Sequence, residues 1–174
     1  MKLYGACLLV CVFGCSTPQV EGPVSIDKTL VKKSAEEIND AIVNEDFGKV
    51  VDLTYPKVVE LIGGRTRMIT VLESGAKDMK SKGERFGAVK VGDPSAPVKS
   101  GSDLFVVVPF QQEMKVPGYK LLQKTFVIGV SNDQGKTWTF VNGDLDVKTV
   151  RQVLPNLPDE LKLPAREKPV SEKE

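Results

Sequence analysis

The densest group of hydrogen-bonding side chains in this chain is Ser131-Asn132-Asp133-Gln134-Gly135-Lys136-Thr137-Trp138, set between two β-type apolar runs at 124–130 and 139–141. Two chemistries suit such a stretch. Asp133 and Asn132 offer hard oxygens to a calcium ion, or Ser131, Asp133 and Gly135 close a hairpin. One carboxylate and one amide fall well short of the roughly six to eight oxygens that calcium takes, so no metal is expected here. In the hairpin reading Ser131 and Asp133 hydrogen-bond turn amides, Gly135 supplies a positive φ, and Trp138 packs the turn onto the core. A second group, Arg65 and Arg67 beside Gly63-Gly64, places two cations where a helix start would hold an anion. Without a glycine-rich fingerprint or a Lys-Ser/Thr pair it is no phosphate loop, and solvated charge is the expected role.

Nucleophilic and metal chemistry is bounded by what is absent. The chain has no histidine, and its three cysteines are Cys7, Cys11 and Cys15. The N-terminal stretch opens on Met1-Lys2, runs apolar over 3–13 and reaches the small residue Gly14. It reads as a secretory signal, shorter than the roughly 20 apolar residues of a spanning helix. Val12-Phe13-Gly14-Cys15 resembles a bacterial lipobox, in which the cut precedes a cysteine that takes lipid; Phe13 departs from the usual small residue. Residues 1–14 are then the signal, and Cys15 is the lipidation site. The cleaved chain keeps no other cysteine and balances 23 acidic side chains against as many basic ones. Disulfides, Cys/His zinc sites, histidine-ligated haem and Cys–His or Ser–His–Asp catalysis are excluded for it, and no metal or cofactor is expected. The whole chain's net charge of +1 argues against a nucleic-acid partner. The anchor implies the bacterial cell envelope, with membrane attachment through lipid. Ser16, rather than Asp, after Cys15 leans towards an outer-membrane or periplasmic-side location in a Gram-negative cell.

Residues 16–29 carry Pro18, Gly22 and Pro23 with little periodicity, and 15–33 reads as the lipidated cysteine and a tether. Ser34-Ala35-Glu36-Glu37 is a capping box that starts a first helix, with Ile38, Ala41 and Ile42 on one face and Asn44 at its end. Asp46 caps a second, with Phe47, Val50, Val51 and Thr54 on one face, which Pro56 breaks. The stretch 57–62 stops at Gly63-Gly64. A helix over 67–82 aligns Met68, Ile69, Leu72, Ala76 and Met79 on one stripe, and Gly75 within it marks close packing against a neighbour. Beyond Gly83 the period shortens towards two. Strands are expected at 85–91, 98–100, 104–110, 119–130 and 138–142, with Pro117-Gly118 reversing the chain. The run 104–110 is apolar throughout, so it is buried on both faces or covered by a partner. Its polar continuation, 111–116, is expected to project beyond the core.

Asp144 is expected to cap a short helix reaching Leu154. Over 155–174, Leu157, Leu161 and Leu163 strap the tail across the domain, and 165–174 is expected to be disordered. Helices followed by an antiparallel meander make 34–154 an α+β domain with helices on one face of the sheet. At 174 residues the chain accommodates one such domain and its tails.

Residues 131–138 match the S-x-D-x-G-x-T-W pattern of the hairpin called the Asp-box. The element order over 34–142 resembles the nuclear-transport-factor-2-like superfamily, the cone shared with ketosteroid isomerases and cystatin-like domains. The residues behind the resemblance are Asn44-Glu45-Asp46-Phe47, Asp52-Leu53-Thr54-Tyr55-Pro56 and the long strands after the helices; it looks closest to bacterial lipoproteins of that superfamily. It implies a curved sheet, a homodimer through that sheet, and an apolar pocket lined by Tyr55, Met68, Met79, Phe126 and Trp138. The residue types themselves favour ordinary core for the same five positions. For an isomerase-like enzyme the resemblance implies a tyrosine donor, for which Tyr55 stands, and a carboxylate base on a strand. Glu113 lies in a polar run and Asp103 at a turn, without the apolar surroundings that raise a carboxylate pKa, and Asp52 is a third candidate. No catalytic residue carries over.

The function expected from the sequence is a lipid-anchored envelope protein, non-catalytic, that binds a small apolar ligand or a partner protein. The alternative is a small isomerase- or dehydratase-like enzyme using Tyr55 and a carboxylate in an apolar pocket. A third reading, carbohydrate binding through Trp138, needs that indole exposed.

Overall fold

Two long strands dominate the computed structural model, which describes residues 24–173. β3 (Asp103–Val116) and β4 (Tyr119–Ser131) pair antiparallel throughout, from Leu104 opposite Ser131 to Val116 opposite Tyr119. The signal segment and Cys15 lie outside the described residues. Short strands flank the pair. β1 (Arg85–Val91) and β2 (Val98–Ser100) run along β3, while β5 (Thr139–Asn142) and β6 (Val170–Lys173) run along β4.

Side chains alternate between the faces of a strand, so the apolar run of β3 feeds two cores. Phe105 and Val107 share one core with Phe126, Ile128, Val130 and Val141. Leu104, Val106 and Val108 share the other with Val127, Trp138 and Phe140. The second core is closed by α1 (Lys28–Val43), whose Val31, Ala35 and Ile38 recur at i, i+4 and i+7. Gly129 makes room there, since a Cβ at that position would lie 2.8 Å from Val106 Cγ2 and 3.3 Å from the Trp138 and Phe140 rings. The first core is closed by α5 (Val147–Val153), through Val150 and Val153, and then by Leu154, Leu157 and Leu161.

The α+β class with N-terminal helices packed on an antiparallel sheet is therefore observed. The helices do not keep to one face, however. Both sides of 104–108 are apolar, and the C-terminal segment supplies the second cover; Leu157 and Leu161 are buried and Leu163 packs against them. The strand needs no partner chain to bury this run.

Three boundaries differ from expectation. The first helix starts at Lys28, inside the expected tether, because Asp27 Oδ1 accepts from the amides of Thr29 (2.9 Å) and Leu30 (3.2 Å). Early helix formation seats Val31, which is fully buried. The last helix is capped by Asp146, which accepts from the Thr149 amide at 3.0 Å, rather than by Asp144. The tail expected to be disordered forms β6, which pairs with residues 119–122 of β4 where β5 no longer reaches, so an otherwise bare sheet edge is covered. The polar run 111–116 likewise continues β3, paired with β1 and β4.

α2 (Phe47–Leu53) begins at Asp46, and α3 (Pro56–Ile62) takes Pro56 at its first turn, where no amide hydrogen is needed. α4 (Arg65–Ser81) follows Gly63 and Gly64, both at positive φ (103° and 92°). If the C-terminal leucines are core, Leu157→Ala and Leu161→Ala should each cost about 2–4 kcal/mol in chemical denaturation. A change below about 0.5 kcal/mol, the size of a surface substitution, would show that the strap is dispensable.

Candidate functional site

The five residues proposed to line one pocket are placed apart. Phe126 is buried in the core beneath α5, and Trp138 is buried in the opposite core beneath α1. Met68 is buried under α4. Met79 and Tyr55 line two separate depressions. Strand parity is the reason: Phe126 falls in phase with Ile128 and Val130, whereas Trp138 packs with Phe140 on the other side. Among the described residues, packed side chains occupy both faces of the sheet.

The first depression is an apolar groove of about 550 Å³ between α4, the end of α1, α2 and the start of β1. Ile42, Phe47, Val50, Leu72, Met79 and Phe86 line it, and Val43 and Val71 lie exposed along it. α4 is 17 residues long, yet Met68 is its one buried residue. Gly75 faces this open space. A Cβ there would meet nothing within 4 Å, so the glycine does not mark close packing as its place inside a helix implied. The charged lining groups are Glu45, Lys80, Glu84 and Arg85, and Lys80 reaches Glu45 across the groove at 2.7 Å. Both partners are well exposed, so this pair adds little stability.

The second depression is a polar cleft of about 540 Å³ at the end of the sheet where α3, β3 and the 131–138 turn meet. Tyr55 is fixed there by its backbone N–H, which donates to Phe140 O at 2.9 Å, and its ring packs against the adjoining core. Burial, and then the negative charge of Asp103, raise the Tyr55 phenol above its ordinary pKa. Of the three carboxylates considered as its partner, only Asp103 shares the cleft. Asp52 pairs with Arg65, and Glu113 lies far along β3, near Lys115 and Lys120. The Arg65–Asp52 pair also removes Arg65 from any anion site; its Nη2 donates to Gly48 O at 3.3 Å as well.

The 131–138 turn closes as expected. Asp133 Oδ1 accepts from Ser131 Oγ (2.7 Å) and from the amides of Lys136 (3.1 Å) and Thr137 (2.9 Å), while Oδ2 accepts from Thr137 Oγ1 (2.7 Å). Ser131 Oγ accepts from the Gly135 amide at 2.8 Å. Gln134 and Gly135 take positive φ, and Trp138 Nε1 donates to Gly135 O at 3.1 Å. With its indole 3% exposed, Trp138 presents no face to a sugar. Among the described residues no His/Cys/Asp/Glu cluster is arranged to hold a metal.

No family model matches the chain, and no curated protein does. Among solved structures it is similar to an LEH-like epoxide hydrolase of M. tuberculosis, with 22% identity and a TM-score of 0.36 over 75% of this chain and 93% of that one. The assignment of both depressions rests on this chain's own geometry.

Donated hydrogen bonds, Thr137 foremost, hold the Asp133 carboxyl at about 2, below its ordinary 3.8. A depressed folded-state value contributes stability that is present above the unfolded pKa and disappears as pH falls through the folded one. Asp133→Ala should therefore lower stability at neutral pH by about 1–2 kcal/mol, the modest end for charge-assisted bonds because solvent screens them. Thermal melts of variant and parent should converge as pH drops from near 4 to near 2. A gap that stays constant across that window would mean the carboxylate is not what holds the turn.

Proposed function

We propose that this protein is a lipid-anchored envelope module that binds a small apolar ligand in the groove beside α4 without transforming it. The observation that carries this reading is α4 itself, a long amphipathic helix whose apolar stripe beyond Met68, at Leu72, Ala76 and Met79, lines open space. Exposed apolar surface costs about 25 cal/mol per Å², so a partly exposed apolar stripe is favoured when a ligand covers it. The volume of about 550 Å³ lies inside the range of roughly 300–1,000 Å³ common for small-molecule sites. The ionisable groups lining the groove, Glu45, Lys80, Glu84 and Arg85, are none of them buried, and Lys80 is held in an ion pair with Glu45, which supports binding over catalysis. The element order, helices from Lys28 to Ser81 and then the long β3–β4 pair, supports membership of the cone superfamily. The anchor rests on the sequence around Cys15.

Gly75 gives a clean test, because it lines the groove and a Cβ added there would meet nothing within 4 Å. Gly75→Ala should stabilise the helix by about 0.5–1 kcal/mol and leave binding intact. Gly75→Leu should keep the fold and weaken binding of the fluorescent apolar probe N-phenyl-1-naphthylamine by about tenfold or more. Unaltered probe affinity in Gly75→Leu would place the ligand elsewhere. Separately, Cys15→Ala should move the protein from the membrane fraction to the soluble fraction of the producing bacterium; retention in the membrane would refute the anchor.

A further inference from the structure

We propose that the polar cleft beside Tyr55 is a second site, chemically opposite to the first, and binds a neutral saccharide. Val130 and the half-buried Tyr55 are among its lining residues, together with several hydrogen-bonding groups. Asp103 comes from the first residue of β3, Thr139 from β5, Asn132 from the turn, and Glu60 with Lys57 from α3.

The state of each group decides the ligand class. Lys57 Nζ donates to Glu60 at 3.0 Å, so that pair is nearly neutral towards a ligand. The Asp103 carboxylate is oriented by Asn156 Nδ2 (2.7 Å) and Ser102 Oγ (3.2 Å) and has no cationic partner among the described residues. The Tyr55 hydroxyl likewise has no hydrogen-bond partner among the described residues. Its raised pKa keeps the proton in place as a donor. A fixed acceptor and an unused donor in one cleft match a hydroxyl group, which both donates and accepts. An ammonium only donates and would leave the phenol unmatched, and an anion would meet the charge of Asp103. An aromatic residue among such groups suits a sugar, whose faces are apolar and whose edge carries hydroxyls. A volume of about 540 Å³ accommodates one or two sugar rings on the scale of small-molecule sites.

The site is independent of the apolar groove, so either can fail without the other. Saturation-transfer NMR and calorimetry on the purified chain, with cellobiose, maltose and chitobiose as probes and ethylammonium as the cationic control, test it. At least one disaccharide should bind. Tyr55→Phe and Asp103→Asn should each weaken it about tenfold, the size of one lost hydrogen bond to a charged or buried partner, with the melting temperature unchanged in Tyr55→Phe. Ethylammonium should not bind. The proposal is overturned if no disaccharide binds, if neither substitution weakens binding, or if ethylammonium binds and only Asp103→Asn abolishes it, which would make the cleft an ammonium site.

Discussion

The pairing of β3 with β4 places apolar side chains on both faces of the same two strands, and two-faced burial governs the remaining architecture. Fully burying a Val, Leu, Ile or Phe side chain is worth about 1.5–3 kcal/mol relative to leaving it in water. Phe105, Val107, Ile128 and Val130 on one side, with Leu104, Val106 and Val108 on the other, therefore need two separate covers. The chain solves this with elements from its two ends. α1 arrives first and takes the Leu104 side. α5 and the leucines after it arrive last and take the Phe105 side, which brings the C-terminus back along the sheet far enough to pair as β6.

This double cover also decides where a ligand can sit. A sheet with one open concave face offers its pocket at the centre, between helices and strands. Here that centre is packed, and Phe126 and Trp138 are spent in it. Open space survives at the margins, where α4 lies loosely over the α1–α2 corner and where α3 meets the end of the sheet. The two marginal sites differ in chemistry because their walls differ. One is built from the apolar stripe of a helix, and the other from strand ends and a turn, where polar residues collect.

Much of this was legible in residue order. Periodicity located α2, α4 and all five strands of the meander, and the 131–138 pattern announced a hydrogen-bonded turn with a buried indole. What stayed hidden had physical causes. Ser34 offered a good capping box, but Asp27 offered an earlier cap with Val31 to bury, and tertiary packing chose the earlier start. β6 is polar and short, and becomes a strand only because β4 presents an unpaired edge. That Phe126 and Trp138 face opposite cores depends on the β4–β5 register, which sets Gly129 opposite Phe140; a one-residue slip would reverse it. Of the site residues, sequence reasoning names Tyr55, Met79 and Asp103 but puts Tyr55 and Met79 in one pocket. Their separation into two cavities, and the choice of Asp103 over Asp52 and Glu113 beside Tyr55, come from long-range contacts that composition does not encode.

The central claim is that the interior is full and apolar ligands are received at the α4 groove. Methyl-labelled methionine NMR reads this directly, because α4 carries one methionine facing the groove, Met79, and one buried beneath it, Met68. Titrating N-phenyl-1-naphthylamine into the protein should move the Met79 methyl signal progressively to saturation while Met68 holds its position. A saturable shift at Met68 with Met79 unmoved would place the ligand inside the fold and contradict the account.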